Sequence, residues 1–314
     1  MNNSKVVIGT RSSDLAVGQA EIVAEMLREA APKYEFELKK ITTKGDKILN
    51  SPLSQIGGKG LFIKELEIAL LEKEIDLAVH STKDMPAELP EGLAVLGFPE
   101  RVDPRDSLIS KTGLGLDELP SGGRIGTGSL RRTSQLLNYR SDLEVIPIRG
   151  NINTRLEKLK NGELNLDAIV LAAAGLIRMG WQEKITQYLD YEIMLPAAGQ
   201  GALAIEARES DTEIRSLINK IDGQKIRYIL QAERGFLERL DGDCHVPVGA
   251  LAEIDGEEIT LEGMVATLDG QKYLRNQMTD SIKKAEELGI KLAEDLIDKG
   301  AKKILQQAKQ ETDK

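Results

Sequence analysis

The stretch that decides the fold is Arg124-Ile-Gly-Thr-Gly-Ser-Leu-Arg-Arg132. Its composition predicts a short strand, a glycine turn and the start of a helix, which is the order of an α/β domain. The first glycines match the start of a dinucleotide fingerprint, but Arg131 stands where the third glycine belongs. Val145-Ile-Pro-Ile-Arg-Gly-Asn-Ile-Asn-Thr-Arg155 repeats the order of strand, cap and helix. We therefore expect two strand–helix units, each with polar side chains at a helix N-terminus.

Arginine is concentrated around these two stretches. Residues 101–155 hold eight arginines and one lysine, whereas the rest of the chain holds nine arginines and 24 lysines. A guanidinium group binds carboxylate or phosphate through two parallel hydrogen bonds, while lysine acts as a point charge. The alternative is a solvated basic face, but two such helix ends in an acidic protein favour a polyanionic ligand. The side chains at these ends are Thr127, Ser129, Arg131, Arg132, Arg149 and Arg155.

The composition limits the class of protein. A chain of 314 residues predicts two or three domains, and 41% hydrophobic with 30% charged residues is ordinary for a soluble globular protein. A net charge of −9 argues against general binding to nucleic acid or to anionic membranes. The sequence has no apolar run near the ~20 residues of a membrane span, and its start lacks the apolar core of a signal peptide. We expect a cytoplasmic protein without membrane association.

The single cysteine, Cys244, lies in Leu240-Asp-Gly-Asp-Cys-His-Val-Pro-Val-Gly249, a turn-rich stretch that predicts a loop. One cysteine excludes an internal disulfide, and with only His80 and His245 no conventional thiolate–imidazole metal site is expected. A lone cysteine is usually a small buried hydrophobe, but a loop cysteine among polar residues can present its sulfur to a ligand. A Cys–His hydrolase is disfavoured because His245 is the next residue, and adjacent side chains of an extended chain point to opposite sides. A covalent tether is the remaining functional interpretation.

The N-terminal part predicts a further anion-binding edge. Lys5–Thr10 reads as a buried strand before a helix over 13–31, which places Arg11 at a strand end beside a helix N-terminus. The alternative for Arg11 is an ordinary surface arginine. A second strand, Ile75–His80, ends where ligand crevices of α/β sheets lie. The side chains that follow it are Ser81, Lys83 and Asp84. Pattern alone favours a turn role for Asp84, two residues before a proline.

The predicted organisation has a discontinuous first domain. The expected domains are residues 1–99 with 200–219, residues 100–199, and residues 220–314. The glycine- and serine-rich stretch 44–60 predicts a mobile lid bearing Lys59, and it lacks key residues of a nucleotide-binding P-loop. After the cysteine loop, two Asp-Gly turns separate three alternating runs, which predicts an antiparallel meander. A helix over 281–299 is predicted to follow.

Six short motifs occur in order along the chain. They are Ile8-Gly-Thr-Arg-Ser-Ser13, Val79-His-Ser-Thr-Lys-Asp-Met-Pro86, Gly126-Thr-Gly-Ser-Leu-Arg-Arg132, Ile148-Arg-Gly-Asn-Ile-Asn-Thr-Arg155, Leu195-Pro-Ala-Ala-Gly-Gln-Gly201 and Gly242-Asp-Cys-His-Val-Pro247. With these motifs the chain resembles the hydroxymethylbilane synthase, or porphobilinogen deaminase, family. Any one motif is weak, but all six in order are highly specific, and the flanking elements extend the resemblance over almost the whole chain.

The resemblance implies two hinged α/β domains like those of periplasmic binding proteins, plus a small C-terminal α+β domain with an antiparallel three-stranded sheet. It implies that Cys244 carries a dipyrromethane cofactor through a thioether. Four porphobilinogen molecules are then joined head to tail onto this cofactor with loss of ammonia, and hydrolysis releases linear hydroxymethylbilane. The only implied partner is this small-molecule substrate, with no nucleic acid and no membrane, and the implied state is a monomer.

The resemblance also implies residue roles. Asp84 would be the catalytic carboxylate, because a negative charge near the ring nitrogen stabilises the cation left when ammonia departs. The residues implied to contact cofactor or substrate are Arg11, Ser13, Lys59, Phe62, Ser81, Lys83, Thr127, Ser129, Arg131, Arg132, Arg149, Arg155, Arg178 and Gln200. Two departures from the family are Asp243, where glycine is common, and Asn165-Leu166, which looks like a small insertion. The alternative function is a non-catalytic anion-binding module of the solute-binding or regulator type, which leaves the loop cysteine unexplained.

Overall fold

A computed structural model describes residues 4–42, 63–86, 88–240 and 246–312. The chain divides into two compact units by its internal contacts. The first unit comprises Met1–Val102 and Gly201–Arg227, and the second comprises Asp103–Gln200 and Tyr228–Lys314.

The described residues form strands and helices that alternate along most of the chain. The strands are β1 (Ser4–Arg11), β2 (Tyr34–Ile41), β3 (Leu77–Ser81), β4 (Leu93–Gly97), β5 (Asp106–Ser110), β6 (Arg124–Gly126), β7 (Glu144–Ile146), β8 (Ala168–Ala172), β9 (Gln187–Tyr188), β10 (Leu203–Arg208), β11 (Val248–Asp255), β12 (Glu258–Ala266) and β13 (Tyr273–Ser281). The helices are α1 (Asp14–Ala30), α2 (Lys64–Leu71), α3 (Leu130–Tyr139), α4 (Ile152–Lys160), α5 (Ala173–Arg178), α6 (Thr212–Ile218), α7 (Gln224–Arg239), α8 (Ala285–Asp298) and α9 (Ala301–Thr312). Within the described ranges, none of the helices combines the length and the apolar character needed to cross a bilayer.

The first unit is built on a five-stranded sheet in the order β2-β1-β3-β10-β4. Strand β1 pairs in parallel with β2 and β3, while β10 runs antiparallel to β3 and β4. Helix α1 packs on one face of the sheet because its apolar side chains recur on one side, and Val23 and Leu27 are fully buried there. Truncating Leu27 to alanine would cost about 2–5 kcal/mol of stability.

The second unit contains a five-stranded sheet with the same plan, in the order β7-β6-β8-β5-β9. Strand β6 pairs in parallel with β7 and β8, and β5 runs antiparallel to β8 and β9. Strand β5 comes directly after residue 102, where the chain passes from the first unit to the second, and β10 comes directly after its return at residue 201. The first strand after each of these two crossings, β5 or β10, is therefore the one that runs antiparallel to its neighbours in the sheet. The predicted α/β class is confirmed.

The C-terminal part of the second unit is an antiparallel meander in the order β11-β12-β13, as predicted. Its turns contain Gly256 and Gly270 at φ of 60° and 70°, a conformation that glycine adopts without strain. Helices α8 and α9 and the buried ring of Phe236 from α7 cover one face of this sheet. The last helix, α9, was not predicted.

This meander contacts the five-stranded sheet region of the same unit. The side-chain amide of Asn138 in α3 donates to the carbonyl oxygen of Gly270 at 2.9 Å, and the hydroxyl of Tyr273 donates to Oε1 of Gln135 at 3.3 Å. A Cβ at Gly270 would lie 2.4 Å from the backbone nitrogen of Asn138, so a side chain there would separate the two parts. The division of this unit into domains at 100–199 and 220–314 stays a prediction.

Candidate active site

The first helix end of the second unit is built by the turn between β6 and α3. Thr127 is buried, and its hydroxyl accepts a hydrogen bond from the backbone N–H of Ser129 at 3.2 Å. Gly128 is required because a Cβ there would lie 2.8 Å from the carbonyl oxygen of Ile148. Ser129 is the N-cap of α3, yet its half-buried side chain makes no capping bond. This helix end therefore keeps a hydroxyl and backbone N–H groups for an anion.

The second helix end lies between β7 and α4. Asn151 caps α4 by accepting from the backbone N–H of Thr154 at 2.9 Å. Gly150 has a φ of 113°, and the Nε of Arg155 donates to its carbonyl oxygen at 2.8 Å. Arg149 is exposed next to this turn. The sequence thus folds locally so that two arginines flank one helix N-terminus.

The arginines of the two helix ends form one cluster of positive charge. The pKa of Arg155 is lowered to about 10, first because the group is buried and then because Arg132 and Arg149 are positively charged nearby. Like charges held together in a buried region destabilise each other, and an anion bound among them relieves that repulsion. The cluster is thus suited to a ligand that carries carboxylates.

Arg132 of this cluster and its neighbour Arg131, both in α3, contact a buried carboxylate, Asp106. Nη1 of Arg131 donates to Asp106 at 2.7 Å and to the carbonyl oxygen of Leu195 at 2.6 Å. Arg132 donates to Asp106 through Nε at 3.0 Å, and its Nη2 lies 2.8 Å from the same carboxylate. Burial alone would raise the pKa of Asp106, but the charges of the two arginines lower it to about 2. The guanidinium groups are therefore fixed in place before any ligand binds.

The predicted residues of the first unit gather at the carboxyl ends of β1 and β3, which are neighbours in the sheet. Arg11 is the last residue of β1, and Ser81 is the last residue of β3. The hydroxyl of Ser81 accepts from the side-chain amide of Gln19 at 2.9 Å. After Ser81 a single 3₁₀ turn, Thr82–Asp84, carries the half-buried Lys83 and the exposed Asp84.

Two family models cover most of the chain. The model described as "Porphobilinogen deaminase, dipyromethane cofactor binding domain" matches residues 6–216, and "Porphobilinogen deaminase, C-terminal domain" matches residues 228–298. The chain belongs to the porphobilinogen deaminase family. It is therefore an enzyme of the transferase class with a dipyrromethane cofactor-binding domain, and the family acts on porphobilinogen.

Relatives in this family match over nearly their full length. The porphobilinogen deaminase of Brevibacillus brevis is 51% identical over 98% of this chain and 98% of the relative. The porphobilinogen deaminase of Desulforamulus reducens is 49% identical over 97% and 98% of the two chains. That of Exiguobacterium sibiricum is 51% identical over 96% and 97%. The resemblance read from six motifs is thus confirmed across the whole sequence.

Solved structures of binding proteins share a distant likeness. An ancestral arginine-binding protein bound to arginine has a TM-score of 0.39 at 16% identity, covering 70% of this chain and 92% of that chain. The BenM effector-binding domain with benzoate has a TM-score of 0.39 at 14% identity, covering 69% and 90%. Scores this low support no conclusion about function, and the fold assignment depends on the strand orders given above.

Several residues expected from the family resemblance have partners within the protein. The hydroxyl of Ser13 caps α1 by accepting from the backbone N–H of Ala16 at 3.4 Å. The side-chain amide of Gln200 is buried and donates to Asp106 at 3.0 Å and to the carbonyl oxygen of Pro104 at 2.7 Å. Arg178 ends α5 and is half-buried. Their roles toward a ligand stay predictions.

Sequence reasoning missed Asp106, which the porphobilinogen deaminase motifs do not contain. The available signal was a carboxylate two residues before the apolar pair Leu108 and Ile109 in an arginine-rich segment. The predicted lid at 44–60 with Lys59, together with Phe62, Asp243 and Cys244, lies outside the described residues.

Proposed function

We propose that this chain joins four porphobilinogen molecules head to tail, with loss of ammonia, onto a dipyrromethane bound to Cys244, and then releases hydroxymethylbilane by hydrolysis. The observation that carries the proposal is the charge cluster of Arg132, Arg149 and Arg155, in a chain that belongs to the porphobilinogen deaminase family. Each pyrrole of substrate and product carries an acetate and a propionate. A growing chain of such rings is a polycarboxylate, which is the ligand class that a cluster of guanidinium groups favours.

The donor set of the second unit fits the dipyrromethane. Its carboxylates would be held by Arg131, Arg132, Arg149 and Arg155, with Thr127 and Ser129 contributing contacts at the N-terminus of α3. When bound, the dipyrromethane supplies the pyrrole end to which the first substrate is joined. The arginines provide orientation, because two parallel hydrogen bonds fix a carboxylate in direction as well as in position.

In the first unit we assign the proton and charge chemistry to Asp84. Its carboxylate is exposed at the end of the turn Thr82–Asp84, so it is accessible to a ligand. A carboxylate placed near a pyrrole N–H accepts a hydrogen bond from it and stabilises the positive charge left on the ring when ammonia departs. Arg11 and Lys83, at the same sheet edge, would bind substrate carboxylates. Ser81 would help to shape this edge.

We propose a cytoplasmic monomer without nucleic acid partners. A cysteine that must remain a free thiol until its thioether forms fits a reducing compartment, and the net charge of −9 opposes general binding to nucleic acid.

Intact-protein mass spectrometry tests the tether. Protein from cells that make porphobilinogen should carry the extra mass of one dipyrromethane, and Cys244→Ser should have the mass of the bare chain. The wild type should also release ammonia from porphobilinogen and form hydroxymethylbilane, while the variant should do neither. A wild-type chain without added mass and without ammonia release would show that the proposed function is wrong.

A further inference from the structure

A buried imidazole–carboxylate pair joins His80, in the strand that precedes the turn of Asp84, to Glu206 of β10. Strands β3 and β10 pair so that His80 is opposite Ala204 and Glu206 is opposite Ala78. Residues two apart on a strand point to the same face, so His80 and Glu206 are diagonal neighbours on one face of the sheet. Nε2 of His80 lies 2.9 Å from Oε2 of Glu206.

The pair is enclosed in the core of the first unit. The side chains of His80 and Glu206 are 4% and 0% exposed. Among the described residues, neither oxygen of Glu206 has a hydrogen-bond partner, and Nε2 of His80 approaches Oε2 without hydrogen-bond geometry. A buried carboxylate without hydrogen bonds costs several kcal/mol, and the electrostatic contact with His80 offsets part of that cost.

A third titratable group completes the cluster. Helix α2 packs on this face of the sheet, and its Glu67 is buried, as are its Leu66 and Leu70. The pKa of Glu67 is raised, first by burial and then by the negative charge of Glu206, while the charges of His80 and Lys64 act in the opposite direction. The cluster therefore links α2, β3 and β10 electrostatically.

Such a cluster is poorly explained by stability. Replacing a buried ion pair by well-packed apolar side chains is often neutral or stabilising by ~1–4 kcal/mol. An apolar pair would also suit the surrounding Leu66, Ala69 and Leu93. The position of the cluster, close to the turn Thr82–Asp84, explains it better than its contribution to the free energy of unfolding does.

Strands β3 and β10 also hold the turn Thr82–Asp84 in place. The backbone N–H of Thr82 donates to the carbonyl oxygen of Ala202, the residue before β10, at 3.0 Å. The N–H of Met85 closes the turn on the carbonyl oxygen of Thr82 at 3.1 Å. His80 therefore joins β3 to β10 two residues before the backbone bond that anchors the turn.

We propose that His80 is a positioning residue for Asp84, and that its contact with Glu206 holds the end of β3 against β10. The proposal rests on the catalytic role proposed for Asp84. Loss of the contact lets the strand end shift, and a shift of about 1 Å in a catalytic group can cost ~10²-fold in rate. The direct chemistry stays with Asp84, and neither His80 nor Glu206 is assigned any contact with substrate.

A double-variant experiment separates this role from a general loss of stability. His80→Gln should lower kcat about 10- to 100-fold in the holoenzyme, with a smaller change in KM. In an Asp84→Asn background, the same substitution should cause no further loss of the slow residual turnover, because His80 acts through Asp84. Glu206→Gln should behave in the same way. An equal loss in both backgrounds would overturn the proposal.

Amide hydrogen exchange provides a readout that does not depend on activity. His80→Gln should lower protection at residues 81–85. The matched control is Asp76→Asn at the other end of β3, where the carboxylate accepts from the N–H of Val7 at 2.8 Å and lies 3.1 Å from Arg208. This control should lower stability while residues 81–85 keep their protection.

The outcomes distinguish the two proposals. Equal loss of protection at residues 81–85 in His80→Gln and Asp76→Asn would contradict a positioning role for His80. A wild-type chain that does not convert porphobilinogen would contradict the proposed function, while the exchange experiment would still decide whether His80 holds the turn.

Discussion

The two five-stranded sheets follow the same plan of strands, but their buried carboxylates lie at different positions along the strand. In the second unit, Asp106 is the first residue of β5 and pairs with Ala172, the last residue of β8. In the first unit, Glu206 lies inside β10 opposite Ala78, near the start of β3. Asp106 therefore reaches the arginines at a helix N-terminus, whereas Glu206 reaches the imidazole of His80 within the sheet.

This difference teaches how one sheet plan serves two purposes. A carboxylate at the end of a strand contacts cationic side chains directly, and in the proposed function the second unit would bind its ligand through the arginines that Asp106 fixes. A carboxylate inside a strand can act only through the backbone of its neighbour, and in our proposal the contact of Glu206 with His80 positions Asp84 in this indirect way. We therefore expect loss of Asp106 to have the larger effect on stability, and loss of Glu206 to have the larger effect on turnover.

The largest expected effect on stability is that of Asp106→Ala. This change leaves Arg131 and Arg132, 5% and 6% exposed, without their carboxylate. An uncompensated buried charge destabilises by about 3–5 kcal/mol, which urea unfolding would measure. The control is Asp103→Ala, which removes a partly exposed pair with Arg105 and should cost about 1 kcal/mol or less. Similar losses of stability in the two variants would contradict a larger contribution of the buried Asp106 than of a partly exposed ion pair.

The pH dependence of stability gives a second check on Asp106. Its folded pKa of about 2 lies below its ordinary value of 3.8, so the folded state favours the ionised carboxylate. The resulting stability, about 2 kcal/mol, is fully present above the unfolded pKa and is lost as pH falls through the folded pKa. Acid unfolding curves of the wild type should therefore lose this contribution between about pH 4 and pH 2, and Asp106→Ala should lack it.

The next effect is expected for turnover in the first unit. Asp84→Asn should lower kcat about 100-fold or more, because the amide cannot accept a proton or balance a positive ring. Because Asp84 is exposed, the free energy of unfolding should change by less than about 0.5 kcal/mol. The dipyrromethane mass should be retained. The matched control is Glu88→Gln, an exposed carboxylate four residues further along, and near-normal turnover in Asp84→Asn would remove its assigned role.

Periodicity alone was sufficient for much of the fold. The strand expected at Lys5–Thr10 is β1, Ser4–Arg11, and the helix expected over 13–31 is α1, Asp14–Ala30. Apolar spacing predicts such elements because each buries one face against the sheet. Strands β5 and β9 were not predicted, because β5 begins with the polar pair Asp106-Ser107 and β9 has only two residues.

The candidate ligand-binding residues were predictable as residue types, but their partners inside the protein were not. Helix ends rich in arginine are visible in the sequence, because the strand, the cap and the cations are contiguous. The bonds that Asp106 makes to Arg131 and Arg132 join residues 25 and 26 positions apart, and no local pattern reports them. The contact between His80 and Glu206 spans an even longer separation and becomes visible only in the register of β3 and β10.

The smallest expected effect on stability is that of Arg149→Ala, which sharpens the contrast between fixed and exposed arginines. Arg149 is exposed and contributes to the repulsion that lowers the pKa of Arg155, so its removal should change the free energy of unfolding by less than about 0.5 kcal/mol. Its loss should nevertheless reduce the fraction of protein that carries the dipyrromethane mass, because one carboxylate loses its bidentate partner. The control is Lys160→Ala, an exposed cation at the far end of α4, which should load normally. Equal loading of the wild type and Arg149→Ala would restrict cofactor binding to the buried arginines that Asp106 already fixes.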